Sequence, residues 1–410
     1  GHYTVYQQKK RFFDIPAMDS AFTDSNPLRS RYILKKGVKM QNLKIIIIGG
    51  GVAGLSAMNR LEAIGYAPIL VEKAENIRTD GTGILLGINA VSILTKMGLS
   101  GKLQESGVKL TKIAALDKKG KQIASSNLAY IEGKSGFATY AIQRDALSKM
   151  LLSSVNVSNI ITNKKVVSVE NMDGYANVLF EDGERGRYDL VIGADGIHSV
   201  VRRSVFGDIE LRDARQACWR FIAKKHESFT DTALFEHFGL GKRVGYVPIG
   251  DDKLYVYALL NADKNIRENS KTRAELLREF DFGGLWQNVL PAITDESKCI
   301  FNEIKDLSKI CLVKDRVVLV GDAAHALTPN MGQGAAMGIE DADVLCDALS
   351  MEPNIERALS VFKQRRYKRV KEIRNKSYII GKMAQSPSKI LSKIRNTAYT
   401  LLPPRMLTKD

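Results

Sequence analysis

From Leu43 to Ile48 the chain is a continuous, isoleucine-rich apolar run, the pattern of a strand buried on both faces. A cluster of glycines interrupts it, and from about Ala53 to Ile64 the apolar residues take up helical spacing. A second buried run, Ala67–Glu72, completes a β-α-β unit of about thirty residues. Tyr188–Ala194 and Arg316–Val320 repeat the buried-strand pattern, each closing on Gly or Asp at a turn. Between those two runs the texture changes. Ala217–Lys224, Thr232–Phe238, Arg243–Pro248 and Lys253–Leu260 are short β-rich stretches parted by Gly or Asp turns, which predicts an antiparallel sheet inserted into a nucleotide-binding fold. From Asn354 to Ala384 the pattern is helical and basic. The expected fold is therefore mixed α/β (α+β): a Rossmann-like domain from 43–115, 140–210 and 312–352, a sheet domain from 116–139 and 211–311, and basic C-terminal helices over 353–410. Residues 1–42 show no clear period and read as an extension, beginning with a Gly1-His2 pair that resembles a cleaved-tag remnant.

Composition narrows the class. Hydrophobic residues make up 44% and charged residues 26%, as in ordinary globular proteins. Cys218, Cys299, Cys311 and Cys346 are far apart, without metal-ligand spacing, which fits reduced thiols in a cytoplasm and predicts no metal site. The Ile45–Met58 run is broken by glycines and too short to cross a bilayer. The net charge of +16 sits at the ends: residues 1–44 carry +6 and residues 361–410 carry +12, which leaves the body at −2. No nucleic-acid motif accompanies it, so nucleic acid is not an expected partner. The helical stripe Ile390, Leu391, Ile394, Ala398 and Leu401 suits an anionic membrane surface, but it suits packing of a helix onto the body equally well.

The glycine cluster carries the first chemistry. Gly49-Gly50-Gly51-Val52-Ala53-Gly54 matches G-x-G-x-x-G between a strand and a helix. Gly49 permits the tight turn, Gly51 the approach of a diphosphate to the backbone, and Gly54 close helix–strand packing. The free N–H groups of the helix N-terminus favour the phosphates. Glu72, 21 residues past Gly51, ends the second strand where a carboxylate can accept from an adenosine ribose, with Lys73 beside it. This motif alone does not separate FAD from NAD.

The far end of the chain does. Val318-Leu319-Val320-Gly321-Asp322-Ala323-Ala324-His325 runs from strand into turn, continues as Pro329-Asn330-Met331-Gly332-Gln333-Gly334, and enters a helix carrying Glu340-Asp341-Ala342. With the glycine turn and Asp195-Gly196-Ile197-His198-Ser199-Val200-Val201-Arg202, these stretches span 43–345 and resemble the single-component FAD-dependent aromatic hydroxylases. The resemblance is to the branch of salicylate, urate and 6-hydroxynicotinate hydroxylases and zeaxanthin epoxidase, with the p-hydroxybenzoate hydroxylase fold. It implies non-covalently bound FAD, with Asp322 on the ribityl chain, Pro329 beside the reactive face of the ring, and the Gly332–Gly334 backbone at the pyrimidine carbonyl. It also implies that Arg144, in Gln143-Arg144-Asp145, lies near the FAD phosphates and ribityl chain, and that Asp195 serves both FAD and NAD(P)H. The implied reaction uses NADH or NADPH to reduce the flavin; oxygen then adds at its 4a carbon, and the hydroperoxide passes one oxygen atom to a small aromatic or conjugated ring. With the ring where the resemblance puts it, a helix starting near Gln333 would aim its positive end at the flavin, worth about 0.3–1 kcal/mol when exposed. Local readings stand beside these: Ser199 as an N-cap, Arg202 as an ion-pair former, and His325 as a packing residue.

Substrate residues are sparsely signalled. Alternation along Ala217–Lys224 places Trp219 and Phe221 on one face and Arg220 on the other, and Tyr246 and Tyr257 fall on neighbouring strands. Arg220 and Tyr246 are the pocket candidates, as a carboxylate or phenolate anchor and a proton relay, although sheet packing or a surface ion pair accounts for them as readily. No catalytic base can be assigned. The same fold also serves enzymes that inactivate polycyclic antibiotics such as tetracyclines, and a non-catalytic flavin-binding sensor or scaffold is the alternative of another class. The W-x-W-x-I-P signature of flavin halogenases is missing. Monomer and homodimer are both compatible with the sequence.

Overall fold

The computed structural model describes residues 43–77, 81–250, 252–262, 279–292 and 299–401. The proposed N-terminal extension lies outside the described residues, as does the chain beyond 401. A six-stranded sheet forms the centre, in the order Val313–Lys314, Val317–Leu319, Leu190–Gly193, Ile45–Ile48, Ile69–Val71 and Ile160–Ile161. All its ladders are parallel except the edge pair between Val313–Lys314 and Val317–Leu319. Ile45–Ile48 is wholly buried because it is covered on both faces, which is why its run is unbroken rather than alternating. The helices Val52–Ala63 and Gly334–Met351 lie against each other closely: a Cβ on Gly338 would stand 2.9 Å from the Ala53 Cβ.

The second large sheet has seven strands, in the order Ile300–Leu307, Leu211–Lys224, Lys253–Asn261, Lys242–Pro248, Ala233–Phe238, Lys112–Leu116 and Gln122–Asn127. It is not wholly antiparallel as the sequence suggested. Ala233–Phe238 pairs in parallel with Lys112–Leu116, a strand reached from far back in the chain rather than through a hairpin. Along Leu211–Lys224 the faces divide as alternation predicts. Trp219 and Phe221 join Tyr246, Phe280, Phe282 and Trp286 in a buried outer layer, while Arg220 points the other way.

A small sheet of Gly83–Leu86, Thr139–Gln143 and Gly107–Leu110 sits between the two large ones. Gly83 is required there, because a Cβ would come 2.3 Å from the Tyr255 ring of the seven-stranded sheet. Ile355–Ala384 is a single 30-residue helix, followed by the helix Lys389–Leu401.

Candidate functional site

Four adjacent parallel strands end at one edge of the central sheet, and each delivers a motif singled out in the sequence. Val317–Leu319 leads to Gly321 and Asp322, Leu190–Gly193 to Asp195, Ile45–Ile48 to the glycine turn, and Ile69–Val71 to Glu72. The carboxyl edge of such a sheet, where crossovers diverge, is where nucleotides bind in this architecture. The far-apart stretches touch directly. A Cβ on Gly321 would lie 3.0 Å from the Ala53 Cβ.

The glycines of the turn are not equivalent. Gly49 has φ +110°, and a Cβ there would meet the Ala194 carbonyl at 2.5 Å; on Gly54 it would lie 1.9 Å from the Gly49 carbonyl oxygen. Packing within the protein dictates those two. A Cβ on Gly51 would meet no atom of the described residues within 4 Å, so that side of the turn is open. Val52 opens the helix, and Lys73 is exposed beyond Glu72. The Glu72 carboxylate accepts from the Gly50 N–H (2.8 Å) and the Ala74 N–H (3.0 Å), bracing the turn from the neighbouring strand.

Asp195 works on its own loop. Its Oδ2 accepts from the Val200 N–H at 2.7 Å while its buried Oδ1 has no hydrogen-bond partner among the described residues; burial pushes its carboxyl up. Ser199 caps the same helix by accepting from the Arg202 N–H at 2.9 Å. Among the described residues Arg202 makes no ion pair: it donates to the carbonyls of Ala323 (2.8 Å) and Ile197 (2.6 Å), tying the Asp195 loop to the Gly321 turn. The Asp322 side chain is exposed at this edge of the sheet. Desolvation by the surrounding protein raises its pKa, opposed by the positive charges of His325 and Arg144.

The Glu340-Asp341 pair, whose role sequence reasoning missed, underpins this segment. Asp341 Oδ2 accepts from the Gly321 N–H (2.8 Å) and from His325 Nε2 (2.6 Å), and its Oδ1 from Arg366 Nε (2.7 Å). Burial works against the Asp341 carboxylate, but His325 and Arg366 hold it down at about 2. Arg366 also donates to Glu340, which accepts in turn from Asn89; Asn89 donates to Gln333 at 3.0 Å. His325 is therefore a structural residue, and Gln333 is fixed at the start of the Gly334–Met351 helix.

Pro329 opens a short helical turn that closes at Gly332 with φ +63°, and Gly334 has no protein atom within 4 Å of a Cβ position. Asn330, next to Pro329, is gripped from two sides. Arg243 of the seven-stranded sheet donates to its side-chain oxygen, and its amide donates to the Ser377 carbonyl at 3.0 Å. The turn thus faces the inner surface of that sheet. Across four strands, register aligns Arg220, Tyr257, Gly245 and Glu236 in one row. Gly245 has no side chain because the Tyr257 ring lies over it; a Cβ would stand 2.1 Å from the ring. The Tyr257 hydroxyl donates to Glu236 (3.0 Å), which also pairs with Arg243 (3.2 Å), and Arg220 donates to Asn302 (2.9 Å). Burial pushes the phenol pKa up at Tyr257, and at Tyr255 to about 12.

Tyr246 does not join this row, so the expectation that it lines a substrate pocket is not met. It pairs with Val256 rather than Tyr257, which turns it to the outer face, where its fully buried hydroxyl meets His237 Nε2 at 2.9 Å. Sequence reasoning missed Glu236, Arg243 and Asn330. The available signals were the odd spacing of Arg243 from Tyr246 and the position of Asn330 directly after Pro329.

The residues fit the cofactor implied by this edge: Gly51 leaves the turn open, Asp195 keeps a buried oxygen without a hydrogen-bond partner among the described residues, and Asp322 is exposed. Comparison with known proteins agrees. Residues 42–376 match the model of the FAD binding domain family. The 2-heptyl-3-hydroxy-4(1H)-quinolone synthase of Pseudomonas aeruginosa is 33% identical over 365 residues, 88% of this chain and 94% of the relative. The chain belongs to the FAD-dependent monooxygenases. The aurachin C monooxygenase/isomerase of Stigmatella aurantiaca is 30% identical to this monooxygenase over 84% of the chain and 90% of the relative. Klebsiella pneumoniae HpxO, in its crystal structure with FAD and uric acid, superposes with a TM-score of 0.83 at 26% identity, covering 89% of this chain and 94% of that one. No helix among the described residues of the monooxygenase is long and apolar enough to cross a membrane.

Proposed function

We propose that this monooxygenase inserts one oxygen atom into an electron-rich ring of the quinolone type, with NADH or NADPH as reductant. The observation that carries the reading is the polar row Arg220–Tyr257–Gly245–Glu236 on the sheet face opposite the Pro329–Gly334 turn. The names of the two relatives, a quinolone synthase and an aurachin monooxygenase, support the ring class. Bound FAD supplies the redox chemistry that activates oxygen.

In this reading the glycine turn and the Val52–Ala63 helix N-terminus hold the diphosphate, with Glu72 and Lys73 toward the adenosine side. Arg144, Asp195 and Asp322 line the ribityl region, and Pro329 and Gly332–Gly334 bear on the ring. Arg220 orients a ring oxygen by a charge-assisted hydrogen bond. Tyr257 stays protonated because burial raises its pKa and, since its own hydrogen goes to Glu236, it offers a lone pair to a substrate N–H or O–H. A proton leaving the ring can then pass through Tyr257 to the Glu236 carboxylate. The four described-region cysteines form no disulfide, which accords with a reducing, cytoplasmic setting.

The test is a screen of NADH and NADPH oxidation under air across 2-alkyl-4-quinolones, simple phenols, urate and a tetracycline, with peroxide measured in parallel. Quinolones should accelerate oxidation most and release little peroxide. A tetracycline alone giving coupled turnover would overturn the ring class. A bound flavin that stays oxidised with both nucleotides across the panel would overturn turnover altogether. Asp322→Ala should abolish FAD retention while far-ultraviolet circular dichroism stays unchanged, and Gly51→Val should do the same by blocking the open side of the turn. Normal flavin content in both variants would remove the assigned cofactor cleft.

A further inference from the structure

The Lys389–Leu401 helix is oriented the opposite way from an ordinary surface helix. Its buried positions are polar: Ser392 and Arg395 are each 7% exposed. Arg395 Nη1 donates to the Ala384 carbonyl at 2.6 Å, its guanidinium lies 5.0 Å from the Phe238 ring centre, and Ser392 Oγ donates to the Ser386 carbonyl at 3.2 Å. The apolar stripe faces outward, with Ile390 71%, Leu391 56% and Ile394 57% exposed. The stripe that was as well suited to packing against the body thus does not do so among the described residues. Ile379 and Met383, on the last turns of the preceding helix, are exposed as well.

We propose that this C-terminal helix seats the enzyme on an anionic lipid surface, lying in the plane of the interface. Charge argues for that occupant. Between Glu372 and Asp410 the sequence has no acidic residue and eight Lys or Arg. Lys389 and Lys393 fall on one flank of the stripe at helical spacing and, like Lys382, are exposed. Aliphatic residues outward with lysines along their flank are the arrangement of interfacial helices, in which the lysine stems lie along the apolar boundary and their ammonium groups reach anionic headgroups. A second copy docking isologously would bring the same positive charges together, which disfavours self-association through this face.

The experiment is flotation of the full-length, FAD-bound protein with vesicles of phosphatidylcholine alone or mixed with phosphatidylglycerol. Binding should require phosphatidylglycerol and weaken with added salt. Replacing Lys382, Lys389 and Lys393 by Gln should lower the partition coefficient roughly a hundredfold. The triple change Ile390→Asn, Leu391→Ser and Ile394→Asn should also release the protein, with its flavin absorbance unchanged. Equal binding to pure phosphatidylcholine, no binding to either vesicle, or retention by the lysine variant would overturn the proposal. So would a concentration-dependent dimer in light scattering that only the apolar variant abolishes, because it would assign the face to a second copy. If the apolar variant loses its flavin, the lysine variant and the salt series still decide.

Discussion

The two faces of the seven-stranded sheet are made by the same strands, yet they have almost nothing in common. The outer face is an aromatic layer in which Trp219 meets Phe280 edge-on at 5.7 Å and Tyr246 stacks near Trp286 at 6.3 Å. Its polar insertion is the His237–Tyr246 pair. The inner face, one residue out of phase, carries Arg220, Tyr257, Glu236 and Arg243 opposite the Pro329 turn. A two-residue period therefore lets one layer bear the stability of the sheet while the other is, in the function proposed above, the layer that binds and orients.

Truncation on the outer face should have the largest effect. Trp219→Ala or Trp286→Ala removes a fully buried ring and should cost about 3–5 kcal/mol in urea unfolding, with the KM of the surviving enzyme near its parent value. A large KM change without loss of stability would mean that the faces are not separate. Next comes His237. Burial depresses its pKa to about 4, so between pH 4 and the unfolded value near 6.5 the unfolded chain binds more protons than the folded one. Stability must then fall as pH drops through that window, by roughly 3 kcal/mol from this group, and His237→Gln should flatten the slope. An unchanged slope in the variant would show that His237 is free to protonate in the fold.

On the inner face, Gly245→Ala drives a methyl into the Tyr257 ring and should cost about 1–3 kcal/mol of stability together with a loss of kcat/KM larger than any outer-face change produces. Smallest in stability is Tyr257→Phe, about 1 kcal/mol for the lost hydrogen bond to Glu236, but it should lower kcat at least tenfold on the best substrate. Turnover at the parent rate would exclude Tyr257 from the proton path and leave the row as a binding surface alone.

The legibility of the molecule followed the range of its interactions. The ends of Leu190–Gly193 and Val317–Leu319 were readable because a buried strand and the turn residue after it are adjacent in sequence. Ser199 was readable as an N-cap for the same reason. Tyr246 and Tyr257 were not separable, because their faces depend on register: Tyr246 lies opposite Val256, and a shift of one residue would have exchanged them. The parallel ladder between Ala233–Phe238 and Lys112–Leu116 joins strands with no local connection to signal it. Arg366 gave no sign among fourteen Lys and Arg residues in 361–410 that it would be enclosed by Glu340, Asp341 and the Met337 carbonyl.

That enclosure bears on how the polypeptide matures. The Gly321 amide is held by Asp341, and Asp341 by Arg366, so the edge that receives FAD is finished only by the last fifth of the chain. Strand Ile45–Ile48 emerges first from the ribosome, but its parallel partner across the sheet, Leu190–Gly193, and the Val317–Leu319 strand beyond it arrive far later. At about 5–20 residues per second, those isoleucines gain Ile69–Val71 on one side within seconds but wait on the order of ten seconds or more for Leu190–Gly193 on the other. Completion of that edge is consequently a late event in synthesis, because it waits for Arg366.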